Sequence, residues 1–133
     1  MSRPQKAFDL ERLFWALADR TRLRLLNLIG DDEVCVCFLV EILGVSQPTV
    51  SRHLAYLRRA GIVATRREGK WMHYRIIPPT NLGAASVLRE VCACLAREPE
   101  MQRDRKRLVK VCCAPYLPIQ LQGAPRPTSF AVA

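Results

Sequence analysis

The sequence has no long apolar segment and no apolar leader. Its longest uninterrupted apolar run, residues 34–40, has seven residues, whereas a membrane-spanning helix needs about 20. The first fifteen residues, MSRPQKAFDLERLFW, carry charges throughout and lack the apolar centre of a signal peptide. We therefore expect a cytoplasmic protein that has no membrane partner.

Histidine is scarce, and no segment is repeated. The 133 residues include two histidines and six cysteines, and half of them are apolar, which suits one domain with one core. Thiols stay reduced in the cytoplasm, so six cysteines favour metal or redox chemistry over a disulfide framework. The sequence has no loop that would cradle a phosphate and no plausible base beside a cysteine, so we do not expect an enzyme such as a cysteine-based metalloid reductase.

The net charge of +9 is unevenly distributed. Residues 47–75 contain seven basic and one acidic side chain, a balance of +6, whereas 1–46 carry −1 and 76–133 carry +4. This concentration of positive charge favours a polyanionic partner, most simply double-stranded DNA.

Helical spacing of apolar residues predicts two helices in the first thirty residues. The first covers 7–17, and the second begins after Asp19 as its N-cap and stops at Gly30. A short element over 34–43 follows and ends at Gly44.

A further helix and a hairpin follow. Ser46 is a strong N-cap candidate, Pro48 suits a first helical turn, and Gly61 closes the helix. An inward stripe consists of Val50, Leu54 and Leu57. The stretch IVATRREGKWMHYRII predicts two strands around a turn at Glu68-Gly69.

The C-terminal part predicts one long helix, a short helix and a tail. Asn81 caps the long helix, Pro99 breaks or bends it, and 101–113 forms a further short helix. The apolar side of the long helix includes Leu82, Val87, Leu88, Val91 and Leu95. The tail, 115–133, holds four prolines and is expected to be flexible, which leaves 1–114 as the DNA-binding and dimerisation domain.

A short helix, the turn LGVS, a second helix and a basic hairpin are the order of a winged helix-turn-helix. In that fold the second helix enters the major groove and the wing meets the DNA backbone. The fold class is therefore mainly α with a small β-hairpin wing (α+β). The residues expected to contact DNA are Ser46, Gln47, Pro48, Thr49, Ser51, Arg52, His53, Tyr56, Arg66, Arg67 and Lys70. Two alternatives stay open: His53 hydrogen-bonds within the fold, and Trp71 packs the wing onto the body.

Three stretches resemble the ArsR-type metalloregulators (ArsR/SmtB), the arsenic-repressor family of winged-helix proteins. They are LADRTRLRLL, EVCVCFLVEILGVSQPTVSRHLAYLRRAGIV and RREGKWMHYRI. The resemblance implies a homodimer with the first and last long helices at its interface. It also implies that the ion-free dimer binds operator DNA and leaves it when a thiophilic ion binds.

Members of that family that sense arsenite, cadmium or lead resemble this chain at Cys35-Val36-Cys37. The arsenic pattern has a third cysteine three residues after the second, where this chain has Val40. The cadmium and lead pattern adds cysteines near the N-terminus, and none precedes Cys35 here. A third thiolate would have to come from elsewhere in the chain or from a second chain.

The cysteines are the candidate ion ligands: Cys35, Cys37, Cys92, Cys94, Cys112 and Cys113. An all-sulfur set selects As(III), Sb(III), Cd(II), Pb(II) or Cu(I) over harder ions. Residues i and i+2 lie about 200° apart on a helix and roughly 6.7 Å apart on a strand, so chelation by the first pair requires a bent backbone. The alternatives are a buried pair of small residues at 35 and 37, core packing at 92 and 94, and redox sensing or an inert tail at 112 and 113.

We expect a repressor with no permanent cofactor that leaves its operator when As(III) or Sb(III) binds. Its two recognition helices would lie one DNA turn apart, about 34–36 Å. One rival is a Cd(II) or Pb(II) sensor of the same fold that uses four sulfurs, those of Cys35, Cys37, Cys112 and Cys113. Another is a thiol redox repressor.

Overall fold

The computed structural model describes residues 8–127 and residue 129. Within them the helices come in pairs along the chain, with one short strand after the first pair and two after the second. The helices are α1 Leu10–Leu17, α2 Arg20–Ile29, α3 Val36–Leu43, α4 Gln47–Arg59, α5 Leu82–Leu95 and α6 Pro99–Cys112. The strands are β1 Glu33–Cys35, β2 Val63–Glu68 and β3 Trp71–Ile76, and a 3₁₀ turn covers Ile119–Leu121. No helix of the described residues is both long and apolar enough to cross a membrane.

Four of the helices begin at side-chain caps. Asp19, Ser46 and Asn81 each accept a hydrogen bond from the backbone N–H three residues on, which confirms the predicted N-caps. Asp9 does the same for α1, so this helix begins at Leu10 rather than at residue 7. Residues 1–7 lie outside the described part of the chain.

The wing has one more strand than the sequence predicts. β2 and β3 form the expected hairpin, but its turn is Gly69-Lys70 because Glu68 pairs with Trp71. The prediction of a single element over 34–43 is wrong, because its first residues belong to β1 and only Val36–Leu43 are helical. β1 lies antiparallel to β3, so the strand order is β1-β3-β2.

The core lies between α2, α3, α4 and the sheet. The predicted inward stripe of α4 is confirmed, since its three residues are fully buried: Val50, Leu54 and Leu57. Phe38 of α3 and Leu26 of α2 are also fully buried in this core. Leu82, predicted on the apolar side of the long helix, is the first residue of α5, and its side chain is 84% exposed.

A break at Pro99 is confirmed, but α6 is a full helix of 14 residues rather than a short one. Proline suits a first helical turn, so Pro99 starts this helix. Polar contacts hold α6 along α2: Arg24 donates two hydrogen bonds to Asp104, at 2.7 and 3.0 Å, and Arg20 bonds to Glu98 and Glu100. These carboxylates carry no periodic apolar signal, which is why spacing alone underestimates α6.

The described part of the tail contacts the body of the protein. Leu121 is 1% exposed and belongs to the hydrophobic core. The side-chain amide of Gln120 donates to Glu41 of α3 at 2.8 Å, and Ser129 donates to Asp32. The boundary at residue 115 and the flexibility of the tail stay predictions.

Candidate DNA interface and thiol site

The start of α4 is built as an exposed helix N-terminus. Gly44 ends α3 in the left-handed conformation, at φ 68° and ψ 21°, which glycine adopts without steric cost. Two residues later the hydroxyl of Ser46 caps α4 through the backbone N–H of Thr49, at 3.4 Å. Val45, Ser46 and Gln47 are exposed. The backbone N–H groups of this first turn are therefore placed where a DNA phosphate can reach them.

The outward face of α4 carries most of the predicted base-reading side chains. Gln47, Pro48 and Arg52 are exposed, and Thr49 and Ser51 are partly exposed. Arg52 forms no ion pair or side-chain hydrogen bond with any residue in 8–127 or 129. Its five N–H donors are therefore available to a partner, and bidentate donation to guanine is the commonest specific contact of arginine in the major groove.

His53 faces the body of the protein rather than the outside of α4. Its Nδ1 lies 3.4 Å from a guanidinium nitrogen of Arg22 and 3.7 Å from the carboxylate of Asp19. These contacts favour the alternative in which His53 hydrogen-bonds within the fold. A contact between His53 and DNA stays a prediction.

Arg22 is a site residue that sequence reasoning missed. It is 4% exposed, and its guanidinium donates to the carbonyls of Ala16 at 2.7 Å and Trp15 at 2.8 Å. Its Cζ also lies 4.9 Å from the centre of the Tyr56 ring, so it ties the end of α1 to the exposed side of α4. A signal existed, because position 22 shares a helix face with the buried Leu25, Leu26 and Ile29.

The three residues of the wing that are predicted to contact DNA have different surroundings. Arg66 is engaged by two carboxylates, those of Glu33 at 2.6 Å and Glu68 at 3.2 Å, and hydrogen bonding to Arg66 lowers the pKa of Glu33. Arg67 donates only to the carbonyl of Gly69, at 3.2 Å, among the residues described. Lys70 lies with its Nζ 4.8 Å above the ring of Trp71.

Trp71 itself is partly buried and packs against the core, which favours the alternative that it anchors the wing. Glu33 is a second residue that the sequence reading missed, because nothing in its neighbourhood indicated a third strand. Its position in β1 brings its carboxylate beside the guanidinium of Arg66, 33 residues away in the chain.

The two cysteines of the CVC stretch lie on either side of a strand-to-helix junction. Cys35 ends β1 and is also the N-cap residue of α3, and Cys37 lies in the first turn of α3. This bend brings their sulfur atoms to 3.1 Å, with the Cys37 thiol donating to Cys35. Cys35 is fully buried and Cys37 is partly exposed. The bent backbone that chelation requires is therefore already present.

The pair has unequal acidity. The pKa of Cys35 is lowered to about 7, first because it accepts a hydrogen bond from Cys37 and also because backbone N–H groups, including that of Met72, favour its thiolate over the opposing cost of burial. The pKa of Cys37 is raised, because its proton is held by Cys35 and its thiol is desolvated. The pair thus shares one proton near neutral pH, and its thiolate is the form that binds soft ions.

The other four cysteines are dispersed. Cys112 is buried at the end of α6, and Cys113 next to it is exposed. In α5, Cys92 is partly exposed and Cys94 is exposed. Burial raises the pKa of Cys112 to about 11 and also raises the pKa of Cys92. Within residues 8–127 and 129, no group of three or more Cys, His, Asp or Glu is placed to hold a metal ion.

Comparisons with known proteins agree with this fold and place the chain in a family. The family model "Bacterial regulatory protein, arsR family" matches residues 19–65. The arsenical resistance operon repressor of Escherichia coli K12 is 39% identical over 104 residues, covering 77% of this chain and 87% of that protein. The arsenic resistance transcriptional regulator ArsR1 of Pseudomonas putida is 40% identical over 108 residues, covering 80% of this chain and 83% of its own.

A solved structure supports the same conclusion. The transcriptional repressor BigR from Xylella fastidiosa superposes with a TM-score of 0.52 at 31% identity, covering 67% of this chain and 88% of that one. The predicted winged helix-turn-helix fold, mainly α with a β wing, is confirmed, and so is the family resemblance. This chain belongs to the ArsR family of bacterial regulatory proteins.

Proposed function

We propose that this protein is a metalloid-responsive transcriptional repressor that leaves its operator when As(III) or Sb(III) binds the thiol pair Cys35–Cys37. The observation that carries the proposal is the 3.1 Å approach of the two sulfur atoms at the start of α3. A thiol pair with one lowered pKa and one partly exposed sulfur residue, Cys37, is suited to capture a soft ion. Relatives at about 40% identity are named for arsenic resistance, which supports the choice of ion.

The position of the pair explains how capture would reach DNA. Cys37 belongs to the first turn of α3, and the other end of this eight-residue helix leads through Gly44 to Ser46, the cap of α4. α3 also packs directly against α4. A shift of the first turn of α3 would therefore move the helix on which α4 rests.

The DNA side of the proposal uses the exposed end of α4 and the wing. The proposed contacts are Ser46, Gln47, Pro48, Thr49, Ser51, Arg52, His53, Tyr56, Arg66, Arg67 and Lys70. To reach DNA, His53 would have to leave its contacts with Arg22 and Asp19. Arg66 would have to leave Glu33 and Glu68 to bind a phosphate. Charge-assisted contacts of this kind make binding strongly dependent on salt.

A homodimer is proposed on the exposed apolar side chains of α1 and α5. Leu10 and Phe14 of α1 and Leu82 of α5 are exposed, and a shallow apolar groove runs along α5 past Val87, Val91 and Cys94. Pairing of these surfaces between two chains would hide them from water. The dimer would present two α4 helices to successive major grooves, about 34–36 Å apart.

The pair supplies two sulfur ligands, and the remaining cysteines are the proposed source of a third. They are Cys92, Cys94, Cys112 and Cys113. Cys94 lies on the face of α5 proposed for the dimer, so it could serve a neighbouring chain. Cd(II) or Pb(II) with four sulfurs would need Cys112 and Cys113 to join Cys35 and Cys37.

The test is an operator-binding titration of the fully reduced protein by fluorescence anisotropy. As(III), Sb(III), Cd(II), Pb(II), Zn(II) and Cu(I) are added in turn, and the six single cysteine-to-serine variants are compared. We expect release by As(III) and Sb(III), and loss of release in Cys35→Ser and Cys37→Ser. Retention of operator by the parent protein in excess arsenite, antimonite, cadmium and lead would overturn the proposal.

The same 3.1 Å approach favours a second candidate, a thiol redox repressor. In that reaction Cys35 and Cys37 form a disulfide, and their two electrons and two protons reduce hydrogen peroxide to two molecules of water. Release of the operator by hydrogen peroxide, reversed by a dithiol reductant and absent in Cys37→Ser, would support it. Insensitivity of the parent protein to peroxide would remove it.

A further inference from the structure

His73 of β3 lies at the centre of the sheet, between the thiol pair and the wing. It is directly opposite Cys35 across the β1–β3 ladder and directly opposite Arg66 across the β2–β3 ladder. Residues that face each other across antiparallel strands project from the same face, with Cβ atoms about 4.5–5.5 Å apart. Cys35, His73 and Arg66 therefore form one row of side chains across the three strands.

The imidazole of His73 is buried without its full set of hydrogen bonds. The residue is 4% exposed, and its Nε2 forms no hydrogen bond with any described residue. A buried polar atom left unpaired is destabilising, because it has lost its hydrogen bonds to water without gaining others. The carboxylate of Glu68 lies 3.3 Å from Nε2 but does not form a hydrogen bond with it. A small displacement of the ring would complete this bond.

Glu68 continues the row to the tip of the wing. Its carboxylate also lies 3.2 Å from Arg66, and Arg66 in turn lies 2.6 Å from Glu33. The carboxylate of Glu68 therefore lies within 3.3 Å of both Nε2 of His73 and the guanidinium of Arg66. Arg66 is a proposed DNA contact, so this chain of contacts connects the buried histidine to the surface that would meet the DNA backbone.

The other end of the row is the sulfur of Cys35. The backbone N–H of Met72, the residue before His73, is close enough to this sulfur to lower its pKa. Two thiolates that bind a zinc ion at about 2.3 Å with a tetrahedral angle are about 3.8 Å apart. The narrower angle at pyramidal As(III) makes this an upper value for the proposed ion, and these sulfur atoms are 3.1 Å apart. Cys35 is buried and pairs with His73 across the ladder, so a change in its side-chain position on ion capture would be felt by the imidazole of His73.

We infer that His73 is a positioning residue that transmits occupancy of the thiol pair to the wing. Displacement of its ring completes the bond to Glu68 and thereby changes the hold of Glu68 on Arg66. This inference rests on the proposed function and deepens it, because it assigns a route by which the ion would alter the DNA-binding surface. His73 is not an ion ligand in this account, which agrees with the lack of a three-residue ligand group in 8–127 and 129.

The test measures coupling rather than either binding step alone. Operator affinity is measured by anisotropy without ion and with saturating arsenite, and arsenite affinity is measured without DNA. The ratio of the two operator affinities is the coupling, typically 5- to 150-fold for linked sites. His73→Phe keeps a ring but removes Nε2, and His73→Gln keeps an N–H donor. Tyr74→Phe is the matched control, since Tyr74 is the next residue of β3 and lies on the opposite face.

We expect His73→Phe to keep operator affinity and arsenite affinity within about threefold of the parent while its ratio falls toward one. His73→Gln should recover part of the ratio, and Tyr74→Phe should keep it. An unchanged ratio in His73→Phe overturns the inference, as does a loss of arsenite affinity in the absence of DNA, which would make His73 a ligand. A parent ratio of one overturns the proposed function, and this inference falls with it.

A second variant protects the test if His73→Phe fails to fold. Glu68→Gln removes the carboxylate that faces Nε2 from an exposed position on the wing. The loss of a negative charge should raise ion-free affinity for every DNA sequence, yet the operator ratio should fall as it does for His73→Phe. A Glu68→Gln variant with the full parent ratio contradicts the inference.

Discussion

Two of the thiol pairs that are close in sequence, Cys35–Cys37 and Cys112–Cys113, have different geometries in the structure. The first pair spans the junction of β1 and α3, and its sulfur atoms are 3.1 Å apart. The second lies at the end of α6, where one thiol is buried and its neighbour is exposed. The comparison indicates that nearness in sequence is not sufficient to bring two sulfur atoms within reach of one ion. A change of backbone direction between the two residues is also needed.

Acidity follows the same division. The hydrogen bond from Cys37 lowers the pKa of Cys35 to about 7, whereas burial, and after it the charge of the neighbouring Cys113, raises the pKa of Cys112 to about 11. Near neutral pH the first pair therefore offers a thiolate and Cys112 offers a neutral thiol. Cys112 and Cys113 lack a short sulfur contact. They lie in a C-terminal region that is stabilised by the packing of α6 and the tail.

The largest expected effect is on ion affinity. Cys35→Ser or Cys37→Ser should weaken binding of As(III) to the DNA-free protein by at least about 100-fold, or about 2.7 kcal/mol, because each removes half of the close pair. Cys112→Ser and Cys113→Ser should stay within about threefold of the parent. Calorimetric titration of the reduced proteins measures this. Equal losses of ion affinity in the variants of both pairs would contradict this difference and favour a four-sulfur site.

The next effect concerns the packing role of the C-terminal region. Leu121→Ala should lower the free energy of unfolding by about 2 kcal/mol, because it empties a buried position in the core. Ile119→Ala is the matched control, two residues away and exposed, and should change it by less than about 0.5 kcal/mol. Urea denaturation followed by circular dichroism measures both. A negligible loss in Leu121→Ala would mean that the tail does not stabilise the body.

A comparable contrast between free and engaged groups exists on the DNA side. Arg52 is exposed and forms no ion pair in the described chain, whereas Arg66 is bonded to Glu33 and Glu68. Arg52→Gln should weaken operator binding by about 1–2 kcal/mol, roughly 5- to 30-fold, and reduce discrimination against random DNA. Arg66→Gln should weaken binding to operator and to random DNA by the same factor, and this factor should be smaller than that of Arg52→Gln on operator binding. Anisotropy titrations with the two DNAs test this, and a larger effect of Arg66→Gln would reverse the order.

The smallest expected effect is a difference of about one proton per ion. Cys35, with its pKa lowered to about 7, is mostly protonated at pH 6 and mostly ionised at pH 8, whereas Cys37 keeps its proton at both. Binding of Cd(II) to the pair should therefore release close to two protons at pH 6 and closer to one at pH 8. Calorimetry in buffers of different ionisation enthalpy measures this number. Release of two protons at both pH values would show that Cys35 is not the acidic thiol.

Much of the fold follows from local chemistry in the sequence. The caps Asp19, Ser46 and Asn81 were recognisable because each is a short polar side chain just before a helical apolar pattern. The inward stripe of α4 followed from helical periodicity in the same way. The hairpin was recognisable from aromatic and β-branched residues on two arms around a glycine.

The parts that escaped prediction depend on contacts between residues distant in the chain. β1 is three residues long and has no alternating pattern of its own, so only its pairing with β3 defines it. The ion pair of Glu33 with Arg66 and the buried position of His73 follow from that pairing. For the site, the sequence indicated that Cys35 and Cys37 require a bent backbone, but the location of the bend and the 3.1 Å separation needed the three-dimensional structure.

The most direct test is the reciprocal titration. Linkage requires that DNA weaken ion binding by the same factor by which the ion weakens DNA binding. The affinity of the reduced protein for arsenite should therefore fall between 5- and 150-fold when saturating operator is present, and non-operator DNA at the same concentration should have far less effect. Equal arsenite affinity with and without operator would show that arsenite binding by the thiols and DNA binding are independent. This result would contradict the proposed repressor mechanism.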